Sequence, residues 1–169
     1  MRAALRVIKD GLTKSLELFV VATMALLVVD VVWGVFTRYA LGEQAKWSEE
    51  LARFLLVWVA LLGGALAFRT RAHLGVDYFV NLLHPDARRL TTVVADLVVL
   101  FFAVAVLLLG GVTVVREALA LEQTTPALGW KMGYVYLALP ISGFFMTLYT
   151  VDNLMETLRG RPADTGTGG

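Results

Sequence analysis

Four long apolar runs, separated by short polar segments, dominate the chain. They cover residues 16–36, 51–68, 90–115 and 132–149. Each is long enough, as a helix, to cross a hydrocarbon core of ~30 Å. None alternates polar and apolar positions as a barrel strand does, and lipid admits only helices and closed barrels. The pattern predicts an all-α membrane protein with four transmembrane helices.

The N-terminal arm and the connection after the second run show shorter amphipathic patterns. In the arm, one helical face carries Leu5, Ile8, Leu12 and Leu16. This face is typical of an interfacial helix, although the arm fits the first turns of span one equally well. Residues 74–83 repeat the pattern and predict a second possible interfacial helix before Pro85.

Lysine and arginine are distributed unequally about the four runs. Ten lie in the arm, the connection after the second run and the tail, against four on the other side. This bias predicts that both termini are cytoplasmic. Residues 1–159 are expected to form one transmembrane domain. Residues 160–169, rich in Gly, Thr and Pro, are expected to be disordered.

Composition excludes several classes of protein. The chain is 58% hydrophobic and only 17% charged, whereas a soluble helical bundle needs polar outer faces. It has no cysteine, which excludes disulfides and thiolate metal sites. No basic stripe with aromatic residues suggests nucleic-acid binding, and no nucleophile–base or metal-ligand spacing suggests an enzyme. We therefore expect no catalytic residue and no metal site.

Two charged residues lie inside the first two runs at matching depths. Asp30 lies six residues before Phe36, and Arg53 lies six residues after Trp47. At 1.5 Å per residue, both are ~9 Å below the outer boundary in an antiparallel hairpin. We therefore predict an Asp30–Arg53 ion pair, joined by Glu49 or Glu50. Such a pair would either fix the hairpin register or form an ion or proton site.

Other polar and small residues predict structural roles. Asp96 lies near the start of the third run, where Thr92 could donate a hydrogen bond to its carboxylate and Arg69 or Arg71 could form a structural ion pair with it. Pro140 should interrupt the fourth helix. Packing roles are predicted for Trp47, Trp58, Gly63, Gly64, Ala67 and Pro140. The cytoplasmic connection is expected to use Arg69, His73 and Asp77.

Several motifs, taken in order, resemble one known family. They are Arg38-Tyr39, Trp47-Ser48-Glu49-Glu50-Leu51-Ala52-Arg53, Trp58, Gly63-Gly64-Ala65, Arg69, His73-Leu74-Gly75-Val76-Asp77, Thr125-Pro126-Ala127-Leu128-Gly129 and Tyr134-Val135-Tyr136-Leu137-Ala138-Leu139-Pro140. Together they are similar to the small, DctQ-like membrane subunit of tripartite ATP-independent periplasmic (TRAP) transporters.

This resemblance implies a non-catalytic scaffold subunit in the bacterial inner membrane. In that family a large M-type membrane subunit carries the substrate and sodium sites and moves by an elevator mechanism. A periplasmic P-type binding protein delivers the substrate, usually an organic acid. The chain itself would need no cofactor and would contact membrane lipids.

Two other functions remain open from the residues alone. The chain could be a self-sufficient four-helix transporter that uses Asp30 as its proton site. It could also be the membrane anchor of a redox enzyme, although no span carries a histidine for haem.

Overall fold

The four apolar runs all form helices. The computed structural model describes the backbone of residues 2–43, 45–69 and 85–158. Its helical elements are α1 (Arg2–Ala40), α2 (Lys46–Arg69), α3 (Pro85–Phe102), a π-helical segment (Ala103–Gly110), α4 (Gly111–Ala120), α5 (Met132–Tyr136) and α6 (Ala138–Leu158). Within these ranges the only extended pairing is an isolated bridge between Thr124 and Lys131.

Four stretches are long and apolar enough to cross a membrane, which confirms the predicted fold class. They are Asp10–Ala40, Lys46–Arg69, Leu90–Ala120 and Met132–Met155. The predicted limits were too short at one or both ends of each span. Helical hydrogen bonding continues through polar flanks, where hydrophobicity no longer marks the element.

The N-terminal arm is continuous with the first span. Helix α1 has 39 residues, or ~58 Å at 1.5 Å per residue, about twice the thickness of a hydrocarbon core. No break separates the arm from the span. The arm therefore forms the first turns of span one, which was the second of the two interpretations. The amphipathic pattern in residues 74–83, His73, Asp77 and the tail at 160–169 lie outside the described residues.

Spans that are consecutive in sequence run antiparallel, and the four pack in a row in which the neighbours α2 and α6 run parallel. α1 packs mainly on α2, α2 packs on α6, and α6 packs on α3 and the π-helical segment. The connection between α1 and α2 and the 121–131 loop lie at one end, which we call the turn end. The opposite end, which carries the start of α1 and the end of α6, is the termini end.

Two buried clusters hold the central helices together. Near the termini end, Leu16, Leu62 and Tyr149 connect α1, α2 and α6. The other cluster joins α2, α3, the π-helical segment and α6, and consists of Ala65, Ala103, Leu107 and Met146. The middle positions of α2 and α6 in the row follow from these contacts.

Close backbone packing joins the third and fourth spans. A Cβ atom at Gly143 of α6 would lie 2.8 Å from Leu107 Cβ and 2.9 Å from Leu108 N. A Cβ atom at Gly111 would lie 2.9 Å from Leu139 Cβ and 3.0 Å from Pro140 Cδ. Only a residue without a side chain fits these two positions. Of the two, Gly143 faces the π-helical segment.

The fourth span is interrupted near its proline. α5 ends at Tyr136, and Pro140 lies in the first turn of α6. Proline lacks an N–H, so it cannot donate to the carbonyl four residues earlier, and the first turn is where a helix tolerates it. The interruption therefore falls at Leu137, between the two helices.

Candidate functional site at the turn end

Three consecutive residues at the start of α2 contact three different parts of the molecule. Ser48, Glu49 and Glu50 succeed one another at about 100° around the helix axis. Their side chains therefore cannot share one partner. Ser48 faces α1, Glu49 remains on the surface of α2, and Glu50 faces the 121–131 loop.

Ser48 binds Asp30 inside the α1–α2 contact. Its hydroxyl donates to Asp30 Oδ1 at 2.9 Å and lies 3.3 Å from the Asp30 carbonyl oxygen. Both residues are buried, with 1% and 5% of their surface exposed. A buried polar group is expensive without a hydrogen bond, so this contact stabilises the helix pair.

The predicted Asp30–Arg53 ion pair is wrong, because Arg53 pairs with Glu49 instead. The Arg53 Nη2 to Glu49 Oε1 distance is 3.3 Å, and the two side chains are 69% and 64% exposed. This i,i+4 pair lies within α2 and connects no second helix. Exposed pairs of this kind contribute at most about 0.5 kcal/mol.

The register of the two helices explains the error. The rings of Phe19 and Trp58 pack in a tilted arrangement with centroids 5.6 Å apart, in agreement with a register that sets Asp30 beside Ser48. Arg53 lies five residues beyond Ser48, or ~7.5 Å along α2 and ~140° around it. The predicted depths assumed that the end of the first apolar run and the start of the second lie at the same level in the membrane. The contacts between α1 and α2 show that they do not.

Glu50 holds the loop that precedes the fourth span. Its Oε2 accepts hydrogen bonds from the backbone N–H groups of Ala127 at 2.9 Å and Leu128 at 2.8 Å. A carboxylate that accepts two backbone N–H groups makes charge-assisted bonds, which are about twice as strong as neutral ones. Glu50 therefore does not join an Arg53 ion pair, as the sequence had suggested, but connects α2 to the second half of the chain.

The 121–131 loop is itself tightly hydrogen-bonded. Thr125 N–H donates to Trp130 O at 2.8 Å, and Trp130 N–H donates to Thr125 Oγ1 at 3.0 Å. Gly129 has a φ of +66°, a conformation that glycine adopts at little cost. The loop thus presents the Ala127 and Leu128 N–H groups together. Sequence reasoning noted both motifs but contained no signal that linked Glu50 to this loop.

A separate set of polar contacts joins the helices at the termini end. Arg69 of α2 forms an ion pair with Glu17 of α1. The Tyr149 hydroxyl donates to Thr13 Oγ1 at 3.1 Å, and both residues are buried. Arg69, which was considered as a partner for Asp96, therefore binds α1. Asp96 is itself buried in α3, with 8% of its surface exposed.

The remaining predicted packing residues divide into contacting and open positions. Trp58 packs on Phe19 and on the Leu16–Leu62–Tyr149 cluster. Trp47 is 43% exposed. At Gly63 and Gly64 an added Cβ would meet nothing within 4 Å, so these glycines make no close contact with any of the described helices. Ala67 is likewise exposed, at the end of α2.

A cavity of about 330 Å³ opens beside Asp30, between α1 and α2. Gly34 and Ser48 lie along the helix seam, and Arg38 and Glu49 also line the cavity. Asp30 Oδ2 is buried and has no hydrogen-bond partner in the part of the chain that the structure describes. Among the described residues, no group of three or more His, Cys, Asp or Glu side chains could hold a metal ion.

The fold and these contacts define a multi-pass helical membrane protein whose described polar contacts fasten helices and loops to one another. The chain belongs to the DctQ component family of tripartite ATP-independent periplasmic transporters, whose family model matches residues 26–160. Members are transport components of the inner membrane, so the chain is not an enzyme.

Two relatives of similar length are small permease proteins of TRAP transporters, and a third, longer relative is a TRAP permease protein. The small permease protein SiaQ of a sialic acid TRAP transporter from Vibrio cholerae serotype O1 is 32% identical over 160 residues, which covers 92% of this chain and 90% of SiaQ. A putative TRAP transporter small permease protein from Haemophilus influenzae is 27% identical, covering 91% of this chain and 94% of that protein. An isethionate TRAP transporter permease protein, DctMQ, from Oleidesulfovibrio alaskensis is 28% identical over 83% of this chain and 23% of its own length.

Proposed function

We propose that the chain is the scaffold subunit of a TRAP-type secondary transporter. It supports a large membrane subunit that carries the substrate and sodium sites and moves as an elevator. A periplasmic binding protein delivers an organic acid to this pair, and the sodium gradient drives uptake. The chain holds no cofactor of its own.

The family match over residues 26–160 carries this proposal, because it includes the last 15 residues of α1 and all three later spans. The DctMQ relative adds support for a large partner. In that protein the region similar to this chain is 23% of a single polypeptide, and its name describes a permease. The chain's own polar contacts also fit a static support, since they tie helix ends together rather than line a central path.

The orientation of the proposed subunit follows from the basic residues. We place both termini in the cytoplasm and the turn end at the periplasmic face. Under this arrangement Trp47, Trp130 and the 121–131 loop lie at the face where a periplasmic binding protein would dock. Lipid contacts the apolar outer surfaces of the row.

Transport by reconstituted proteins tests the proposal. The chain, the large subunit from the same operon and the binding protein are placed in liposomes with an inward sodium gradient. We expect organic-acid uptake with all three proteins and none with this chain alone. Equal uptake when this chain is left out would contradict a supporting role.

The same liposomes distinguish the alternative of a self-sufficient proton-coupled transporter. That function requires efflux by the chain alone under a proton gradient, and loss of efflux in Asp30→Asn. Transport sites made from broken helices lie near the bilayer midplane in secondary transporters. Asp30 lies six residues before Phe36, where the apolar run ends, or ~9 Å from the outer boundary and well short of the midplane of a ~30 Å core.

A further inference from the structure

The cavity beside Asp30 has an unusual chemical character for the wall of a membrane protein. Asp30 is 95% buried, its Oδ1 is bound to Ser48, and its Oδ2 is shielded with no hydrogen-bond partner among the described residues. The cavity has room for a side-chain head group, at about 330 Å³. Asp30 thus lines a groove between the two helices with a carboxylate whose second oxygen is shielded and has no partner among the described residues.

An unsatisfied buried carboxylate requires a partner or a proton. A charged group inside a membrane is costly, and such groups pair with one another in known membrane proteins. Neither Arg53 nor Arg38 serves Asp30, because Arg53 binds Glu49 and no ion pair joins Arg38 to Asp30 within the described residues. A cation for the ionised carboxylate would therefore come from outside the described part of the chain.

We propose that the Asp30 cavity receives the ammonium or guanidinium group of a lysine or arginine from a helix of the large membrane subunit. This inference rests on the proposed function and names a contact within it. Oδ2 is shielded in the chain alone, so the Asp30 carboxylate would turn toward the cavity to let the cationic nitrogen bind Oδ2, while Ser48 keeps its bond to Oδ1. The pair would be buried once the helices meet.

The surface around the cavity suits a helix from a partner. On α1, Val31 and Val35 line the cavity and remain 48% and 51% exposed, one helical turn apart. On α2, Ala52 lines the other wall, and Leu56 beyond it is 57% exposed. These residues form two apolar ridges with a carboxylate between them. A partner helix with one basic residue among apolar ones complements that surface in both shape and charge.

A lipid amine fits this position less well than a side chain. Asp30 lies about 9 Å below the end of the apolar run, while a phospholipid carries its amine at the outer edge of the head-group layer. Arg38, eight residues further along α1, lines the same cavity toward its mouth. A cation arriving from water would pass this guanidinium, whereas a helix that packs from the side would not.

Photo-crosslinking locates the partner without altering Asp30. A photoreactive benzoylphenylalanine replaces Val31 in one variant and Val29 in another, each co-expressed with the large subunit. Both valines are exposed, at 48% and 65%, and they lie ~200° apart around α1. We expect a crosslink to the large subunit from position 31 and little or none from position 29. Equal crosslinking from the two positions, or none from 31, overturns the inference.

Affinity and stability measured on the same variant test the charge itself. Asp30→Asn keeps an acceptor for Ser48 but removes the negative charge. Loss of one partner of a buried charge pair should weaken binding of the large subunit about tenfold or more. The isolated chain should keep or raise its melting temperature, because it loses an uncompensated charge. A lowered melting temperature with unchanged affinity would mean that Asp30 acts only within this chain.

Two further measurements exclude other occupants. Arg38→Gln should leave affinity for the large subunit within about twofold, because Arg38 is not the partner; a loss equal to that of Asp30→Asn overturns the inference. The isolated chain should melt alike in sodium chloride and choline chloride. A sodium-specific increase that Asp30→Asn abolishes would assign the cavity to an ion instead.

The controls separate this inference from the proposed function. If the unaltered chain does not co-purify with the large subunit, the proposed function fails. If it co-purifies, but the Asp30→Asn and position-31 variants behave like their controls, only the assignment of this contact fails.

Discussion

The role of each polar residue at the start of α2 depends on its direction from the helix axis. Ser48, Glu49 and Glu50 are adjacent in sequence, yet they bind α1, a neighbour on the same helix and a distant loop. The sequence identified this group as structurally important and allowed the Glu49–Arg53 pairing from its i,i+4 spacing. It did not identify the contacts of Ser48 or Glu50, because these depend on helix register and on a loop 77 residues away.

The two glutamates give a matched test at this scale. Glu50→Gln should destabilise the chain by about 1–2 kcal/mol, because a neutral amide replaces a carboxylate that accepts two backbone N–H groups. Glu49→Gln should cost about 0.5 kcal/mol or less, since its ion pair is exposed. Thermal unfolding of both variants in detergent micelles measures the difference. An equal loss for both would contradict the loop-anchoring role of Glu50.

At the scale of the helices, the third and fourth spans depart from regular geometry where they meet. The π-helical segment lies where Gly143 brings α6 within van der Waals contact of Leu107 and Leu108. The apolar run at 90–115 correctly predicted a membrane helix, but hydrophobicity alone carries no information on a locally widened helix. Pro140 did predict the interruption of the fourth span, because proline acts through its own backbone and needs no partner.

Two glycines distinguish close packing from open surface. Gly143→Ala should destabilise the isolated chain by about 1–3 kcal/mol, because the new methyl group would overlap the backbone at Leu108. Gly63→Ala should be neutral or stabilising by up to about 1 kcal/mol, since alanine favours helix and its Cβ meets nothing within 4 Å. Thermal unfolding of the isolated variants measures both effects. Similar tolerance at the two positions would show that the close approach at Gly143 is not required.

At the scale of the whole molecule, the four spans form a row rather than a closed four-helix ring. α1 lies at one edge of this row and exposes a long apolar surface, including Val21, Val28 and Val32. Hydropathy predicted the number of spans, since each span needs an apolar run long enough to cross the same membrane thickness. It could not predict their order in the row, because lipid-facing and protein-facing helix surfaces are equally apolar.

The proposed orientation can be measured directly, since the chain has no cysteine of its own. A single cysteine replaces exposed Gln123 at the turn end or exposed Asp10 near the termini end. In intact cells with a permeabilised outer membrane, a membrane-impermeant maleimide should label Gln123→Cys and spare Asp10→Cys. Disruption of the inner membrane should make both reactive. The reverse pattern in intact cells would invert the assigned orientation.

The bond between Glu50 and the 121–131 loop also constrains biosynthesis. Its two ends are separated by 77 residues, so the first two spans leave the ribosome well before the loop exists. At about 5–20 residues per second, the interval is roughly 4–15 s. During that time Glu50 has neither N–H donor, and the first hairpin must be held by its own contacts and those of the insertion machinery. The turn end therefore acquires its final hydrogen bonds only when the last part of the chain is made.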